Sequence, residues 1–276
     1  MKHCIVYCSP NGSTRHVAEV VAERLSILGD SAEIFDLGRN GQQPEAVYRS
    51  MSTPKCLWVG SPVYVNHMVP PVERFLLALE QEKESYAIPF VTWGGVNSGV
   101  ALGEMAELLT RKGHILLGGA KVTAVHSLMW LSNDPLGAGH PDSKDDAMVK
   151  HLVDAVHGKL TSSGSGALSL EVFDYQPEKV KEESRLKSIA VAKQHYPSLA
   201  PDIEKCTRCG QCAEGCPSGA ITLDPYPVIG EHCILCLKCV RECLESAIPF
   251  DMSGMEDRLR SMALLAAESV STRIFV

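Results

Sequence analysis

No stretch of this sequence approaches the roughly 18 uninterrupted apolar residues that a membrane-spanning helix needs. No Lys/Arg-rich run supplies the basic patch that holds a nucleic-acid backbone. The 276-residue chain sets 26 Lys and Arg against 33 Asp and Glu, a formal charge of −7. That balance argues against a nucleic-acid partner and for a solvated acidic surface. The N-terminus lacks the basic, apolar, cleavable leader of a secreted protein and runs straight into a strand pattern. The expected address is the cytoplasm, with no membrane span.

What is present is ordinary in bulk: 45% hydrophobic and 21% charged residues describe a globular protein, long enough for two domains. Cysteine is the exception. Of eleven, eight fall between Cys206 and Cys243; Cys4, Cys8 and Cys56 sit in apolar strand patterns, where a small buried hydrophobe is expected.

Over the first 160 residues, strand and helix patterns alternate. Apolar runs at 3–9, 32–37, 56–63, 88–95 and 121–127 read as buried strands, and segments at 14–28, 44–52, 71–84, 100–112 and 143–161 as helices. Five strands joined by helical crossovers predict an α/β fold with a parallel sheet covered on both faces. "TSSGSG" (161–166) has the composition of a flexible linker, and 177–197 that of a charged connecting helix ending before Pro197. The chain closes with a predicted helix over 255–271.

Between these lies a repeat: "CTRCGQCAEGCPSGAI" (206–221) recurs as "CILCLKCVRECLESAI" (233–248), each half spelling C-x2-C-x2-C-x3-C. Stable disulfides do not suit a reducing compartment. Zinc sites usually pair two C-x2-C knuckles across a longer interval, whereas three cysteines at i, i+3 and i+6 suit the corners of a cubane. The duplicated spacing points to two [4Fe-4S] clusters. The region resembles bacterial two-cluster ferredoxins, in which the fourth cysteine of each run serves the other cluster. The resemblance assigns one cluster to Cys206, Cys209, Cys212 and Cys243, and the other to Cys233, Cys236, Cys239 and Cys216. Pro217 follows the first run as that family prefers; Leu244 replaces it after the second.

The loop after the first strand, "CSPNGSTR", has a single glycine and no lysine. It therefore lacks the G-x-x-x-x-G-K-[ST] of a nucleoside triphosphatase and the G-x-G-x-x-G of a dinucleotide fold. A phosphatase loop running from Cys8 needs arginine where Thr14 stands. What remains is a phosphomonoester site built from small residues and a helix N-terminus. Ser9, Asn11, Gly12, Ser13 and Thr14 fit the [ST]-x-[TN]-G-x-T pattern of flavodoxins, although such turns also merely cap helices.

Two more loops belong at the same end of such a sheet: 61–71, with Pro62, Val63 and Tyr64, and 92–99, with Thr92, Trp93, Gly94, Gly95 and Gly99. Tyr64 and Trp93 are candidate stacking residues for an isoalloxazine ring, and the glycines allow close backbone approach. The chain as a whole resembles flavodoxin-ferredoxin fusion proteins. That resemblance implies a flavodoxin-like five-stranded parallel sheet of order 2-1-3-4-5 binding FMN over residues 1–162, and a linker and connecting helix over 163–199. It also implies a two-cluster ferredoxin-like α+β domain over 200–252 and a C-terminal helix and tail over 253–276.

Three functions stay open on the sequence. The chain is an electron-transfer flavoprotein exchanging with redox protein donors and acceptors, or a reductase with a small-molecule substrate near Tyr64, Asn66, His67, Trp93 and His126. The third is a flavin-free redox sensor. The tail has two roles open to it, capping this chain or pairing copies in a homodimer.

Overall fold

The computed structural model describes residues 1–39, 42–162, 166–196 and 199–276. Its elements begin with β1 (Lys2–Tyr7), α1 (Ser13–Ile27), β2 (Ser31–Asp36), α2 (Pro44–Ser50), β3 (Lys55–Tyr64), β4 (His67–Met68) and α3 (Pro70–Ala78). Next come β5 (Ser85–Trp93), α4 (Ala101–Arg111), β6 (His114–Leu116), β7 (Gly119–Thr123) and α5 (Ser143–Thr161). After a single 3₁₀ turn at Leu170–Phe173 follow α6 (Glu178–Arg185), α7 (Ile189–Lys193), α8 (Gln211–Glu214), β8 (Ile221–Leu223), β9 (Pro227–Ile229), α9 (Lys238–Arg241), α10 (Met255–Ala266) and β10 (Arg273–Phe275).

β1, β3 and β5 are buried along almost their whole length, as strands covered on both faces must be. The strands pair in the order β2-β1-β3-β5-β7, all parallel. This is the 2-1-3-4-5 order expected, a doubly wound flavodoxin-like sheet. α1 and α5 cover one face, where Val17, Val21 and Leu25 pack with Val149, Leu152 and Val156. α3 and α4 cover the other through Val72, Phe75, Leu76, Leu102 and Met105.

The sheet is longer than the sequence suggests. β10, from the extreme C-terminus, pairs antiparallel with β7, setting Ile274 opposite Ala120 and Phe275 opposite Gly119. It covers an otherwise open edge, and the Phe275 ring packs tilted against Phe173, centroids 5.6 Å apart. The predicted helix over 255–271 accordingly stops at Ala266. Ala267 turns left-handed (φ 49°) so that Glu268 enters the interior and the chain extends into β10.

The predicted connecting helix over 177–197 is two short helices instead. α6 ends at Arg185, and α7 starts afresh on Ser188, whose hydroxyl accepts from the Val191 amide at 3.1 Å. Part of the "TSSGSG" linker and Pro197 itself lie outside the described residues, and α7 ends at Lys193, short of the predicted stop before Pro197. Among the described residues no helix is long and apolar enough to cross a membrane.

The cysteine-rich region repeats in backbone as it does in sequence. Its left-handed residues Arg208, Gly210 and Gly219 recur as Leu235, Leu237 and Ser246, and α8 recurs as α9. The Ala220 amide donates to Cys216 Sγ, and the Ala247 amide to Cys243 Sγ, both at 3.3 Å. The half-repeats are closed by β8 pairing with β9 and by the Asp202 amide donating to the Ala247 carbonyl at 2.7 Å.

Candidate functional site: a cavity between sheet and cysteine repeat

At the carboxyl ends of β1, β3 and β5 lies a cavity of about 380 Å³, within the size range of a small-molecule cofactor site. Of the residues singled out in the sequence, Ser9, Asn11, Ser13, Thr14, Pro62, Val63, Tyr64, Thr92, Trp93 and Gly94 line it. Gly12, Gly95 and Gly99 stand behind that lining. Gly12 (φ 94°) is the N-cap of α1 and has no side chain to cap it, while the Arg15 amide of the first turn donates to Ser9 Oγ at 3.0 Å. A helix start leaves such amides as orphan donors at the positive end of the helix dipole. Thr14 Oγ1 meets Thr92 Oγ1 at 2.8 Å, joining the first and third of the three loops.

The 61–71 loop contains a tight hairpin, β3 to β4, turned through Val65 (φ 52°) and Asn66 (φ 72°). Val65 is β-branched and left-handed, a conformation that costs about 1–3 kcal/mol and marks functional loops. Gly99 comes so close to this turn that a Cβ there would sit 2.1 Å from the Asn66 carbonyl oxygen. Gly95 packs instead against Leu136 and Val270.

The two aromatic residues have different settings. Tyr64 is part-buried, burial holding its phenol well above the ordinary value, and its hydroxyl accepts from Asn11 Nδ2 at 3.2 Å. Trp93 is only 2% exposed, and the Lys121 ammonium lies 4.8 Å from its ring centroid. Its indole Nε1 is buried without a hydrogen-bond partner among the described residues. Trp93 thus offers the cavity a polar edge in need of an acceptor rather than a free ring face.

His126 also lines the cavity, against Gly94. Burial lowers its pKa to about 4, and its Nδ1 accepts from the Leu128 amide at 3.2 Å, so the neutral ring carries its proton on Nε2. His67 stays out of the lining. Its Nδ1 pairs with Glu104 at 2.7 Å and its Nε2 donates to the Ser184 carbonyl at 2.9 Å, pinning α6.

Further lining comes from outside the three loops: Ser188, Val191 and Tyr196 around α7, Leu259 and Met262 on α10, two segments that carried no motif, and Ile234 and Leu235 from the loop between Cys233 and Cys236. Helical periodicity marks Leu259 and Met262 as an apolar face without saying what it covers. The Cys233 loop was legible only as metal-ligand spacing.

Among the described residues all eleven cysteines are free. Cys206, Cys209, Cys212, Cys239 and Cys243 line a second cavity of about 110 Å³, and Cys209 is exposed. Burial, then neighbouring Cys239, Cys216 and Cys233, push the Cys236 thiol up to about 12. Burial with Cys233 and Cys216 does the same to Cys239. The cysteines of the two half-repeats thus crowd together, with Cys216 beside Cys236 and Cys239, and Cys243 in one cavity with Cys206, Cys209 and Cys212. Crowded thiols of this kind ionise against a cation, and the inward amides can donate to the sulfurs, so the donor set fits iron–sulfur ligation. Cys236 and Ile234 pack into the core of the α/β domain, whereas Cys8 is a fully buried thiol raised by burial.

Elsewhere, His140, Asp142 and Asp145 bring ligand atoms within 4.8 Å of one another. They form the capping box of α5 with an ion pair attached, which accounts for their proximity.

A 4Fe-4S binding domain family matches residues 200–222. No protein of curated function matches the chain in sequence. Among solved structures, the rubredoxin oxygen:oxidoreductase of Desulfovibrio gigas is 22% identical with a TM-score of 0.46, over 58% of this chain and 37% of that one. An archaeal flavodoxin is 18% identical (TM-score 0.44, 59% of this chain and all of that one). Flavodoxin 2 from Bacillus cereus is 16% identical (TM-score 0.45, 58% and 99%). By its strand order and its cysteine-region match, the chain joins a flavodoxin-like α/β domain to a ferredoxin-type 4Fe-4S region, the make-up of an electron-transfer redox protein.

Proposed function

We propose that the protein couples two [4Fe-4S] clusters to an FMN held in the cavity at the carboxyl ends of β1, β3 and β5. The observation that carries this reading is the shared wall: Ile234 and Leu235, between two cluster cysteines, line the same cavity as the Ser9–Thr14 loop. FMN exchanges electrons singly or in pairs whereas a [4Fe-4S] cluster exchanges one, so such a chain converts between the two kinds of traffic.

The residues have distinct tasks in this scheme. The N-terminus of α1 and the hydroxyls of Ser13 and Thr14 bind the phosphate. Trp93 Nε1 and the neutral His126 Nε2 offer donors to the polar edge of the ring, and α7 and α10 supply apolar wall that excludes water. Cys216, Cys233, Cys236 and Cys239 hold the inner cluster. Cys206, Cys209, Cys212 and Cys243 hold the outer one, whose exposed Cys209 suits exchange with a redox protein.

Anaerobic purification followed by iron, sulfide and flavin quantitation tests the scheme. The expected result is about eight irons and one FMN per chain. Zinc in place of iron overturns the cluster assignment, and cluster-loaded protein that binds no added FMN overturns the flavin assignment. Reduced protein reoxidised faster by one small molecule than by redox proteins makes it a substrate reductase instead.

A further inference from the structure

The two halves of the cysteine repeat differ at one position that matters to the cavity. Glu214 ends α8, and the matching residue at the end of α9 is Arg241. The Arg241 guanidinium leaves the cysteine region, bonds to Asn11 Oδ1, and donates from Nη2 to the Pro10 carbonyl at 3.3 Å. The same Asn11 donates from Nδ2 to the Tyr64 hydroxyl. One asparagine thus ties the cluster loop, the Ser9–Thr14 loop and the Tyr64 loop together.

Among the described residues the other cations near this loop are paired, and Lys187 and Arg258, which line the same cavity, make no hydrogen bond or ion pair with the loop. Arg15 is engaged with Asp36 at 3.2 Å, and Lys238 faces Glu242 at 3.8 Å. The pairing of Arg241 with Glu242 (3.3 Å) involves a half-exposed carboxylate and competes weakly. A guanidinium bonded to this loop would add to the positive charge that the helix dipole offers a phosphate dianion, and its planar fork suits the phosphate oxygens.

Resting on the FMN reading above, we propose that Arg241 is the cation of the phosphate site, delivered by the cluster loop. FMN affinity then depends on both clusters being in place. Arg241 lies two residues from both Cys239 and Cys243, so ligation at these cysteines orders the turn that presents it. By linkage, bound FMN favours the cluster-loaded state in return.

The test titrates flavin-stripped, cluster-loaded full-length protein with FMN and with riboflavin, which lacks the phosphate, following flavin fluorescence. Arg241→Gln is expected to raise the Kd for FMN about 10- to 100-fold and to leave that for riboflavin within about twofold; Arg241→Lys recovers part of the loss. Iron chelation is expected to weaken FMN binding to the wild-type chain by a similar factor and to weaken it little further in Arg241→Gln. Equal losses for FMN and riboflavin, no loss at all, or an equal effect of chelation on both proteins overturn the proposal. Failure of the wild-type, cluster-loaded chain to bind either flavin overturns the FMN reading itself.

Discussion

Single residues carry the close approaches on which the cavity depends. Gly99 is the sharpest case: it is left-handed (φ 59°), and a Cβ would overlap the Asn66 backbone at 2.1 Å from its oxygen. Gly99→Ala combines strain with overlap and is expected to cost about 2–4 kcal/mol, read as a lowered denaturation midpoint at unchanged m-value, with weakened FMN binding. Its glycine identity was visible in the sequence, but the reason was not, because Asn66 lies 33 positions earlier. Trp93 makes the opposite point. An aromatic beside two glycines reads as a stacking platform, and only the fold reveals that the Lys121 ammonium, distant in sequence, lies over its ring at 4.8 Å from the centroid.

At the scale of elements, the C-terminal tail is held by one buried group. Glu268 accepts from the Ser98 amide at 2.8 Å and the Ser98 hydroxyl at 2.5 Å, and pairs with Lys121. Tyr175 and Gln176 both donate to that same Ser98 hydroxyl, at 2.9 Å each. Burial alone would raise the Glu268 carboxyl, but the Lys121 ammonium and Ser98 outweigh it and hold the group below its ordinary 4.5.

A depressed carboxyl contributes its stabilisation above the ordinary value and loses it as pH falls through the lowered one. Amide exchange at Arg273–Phe275 is therefore expected to stay slow near neutrality and to open below about pH 4.5. Glu268→Ala leaves Lys121 buried without a partner and is expected to cost about 3–5 kcal/mol, up to the cost of freeing the tail. Lys121→Met combined with Glu268→Leu recovers most of it; additive losses would refute the pairing as the tail's anchor.

Across the whole molecule, the two regions draw stability from different sources. The α/β domain buries two hydrophobic layers on either side of its sheet. The cysteine region has few buried apolar residues of its own, chiefly Ala220, Ile221, Ile234, Leu237, Ala247 and Ile248. It is too small to fold on hydrophobic burial alone, so its order depends on its metal. Iron chelation is expected to release amide protection across 202–248 while β1, β3 and β5 remain protected. Simultaneous loss in both regions would show that the packing of Ile234 and Cys236 against the domain makes them one cooperative unit.

By itself the sequence determined the local chemistry. Alternating buried strands and amphipathic helices specify the parallel sheet, because period and crossover length are local properties. The duplicated C-x2-C-x2-C-x3-C marks a ferredoxin-type 4Fe-4S region, because ligand spacing is a local property. What only the tertiary structure decided are contacts between residues far apart in the chain. A three-residue strand at the terminus seals the sheet edge, two segments without a motif wall the cavity, and Arg241 reaches Asn11 across 230 positions. No periodicity encodes these, since they depend on which surfaces the folded domain leaves open for its own termini and cysteine loops to cover.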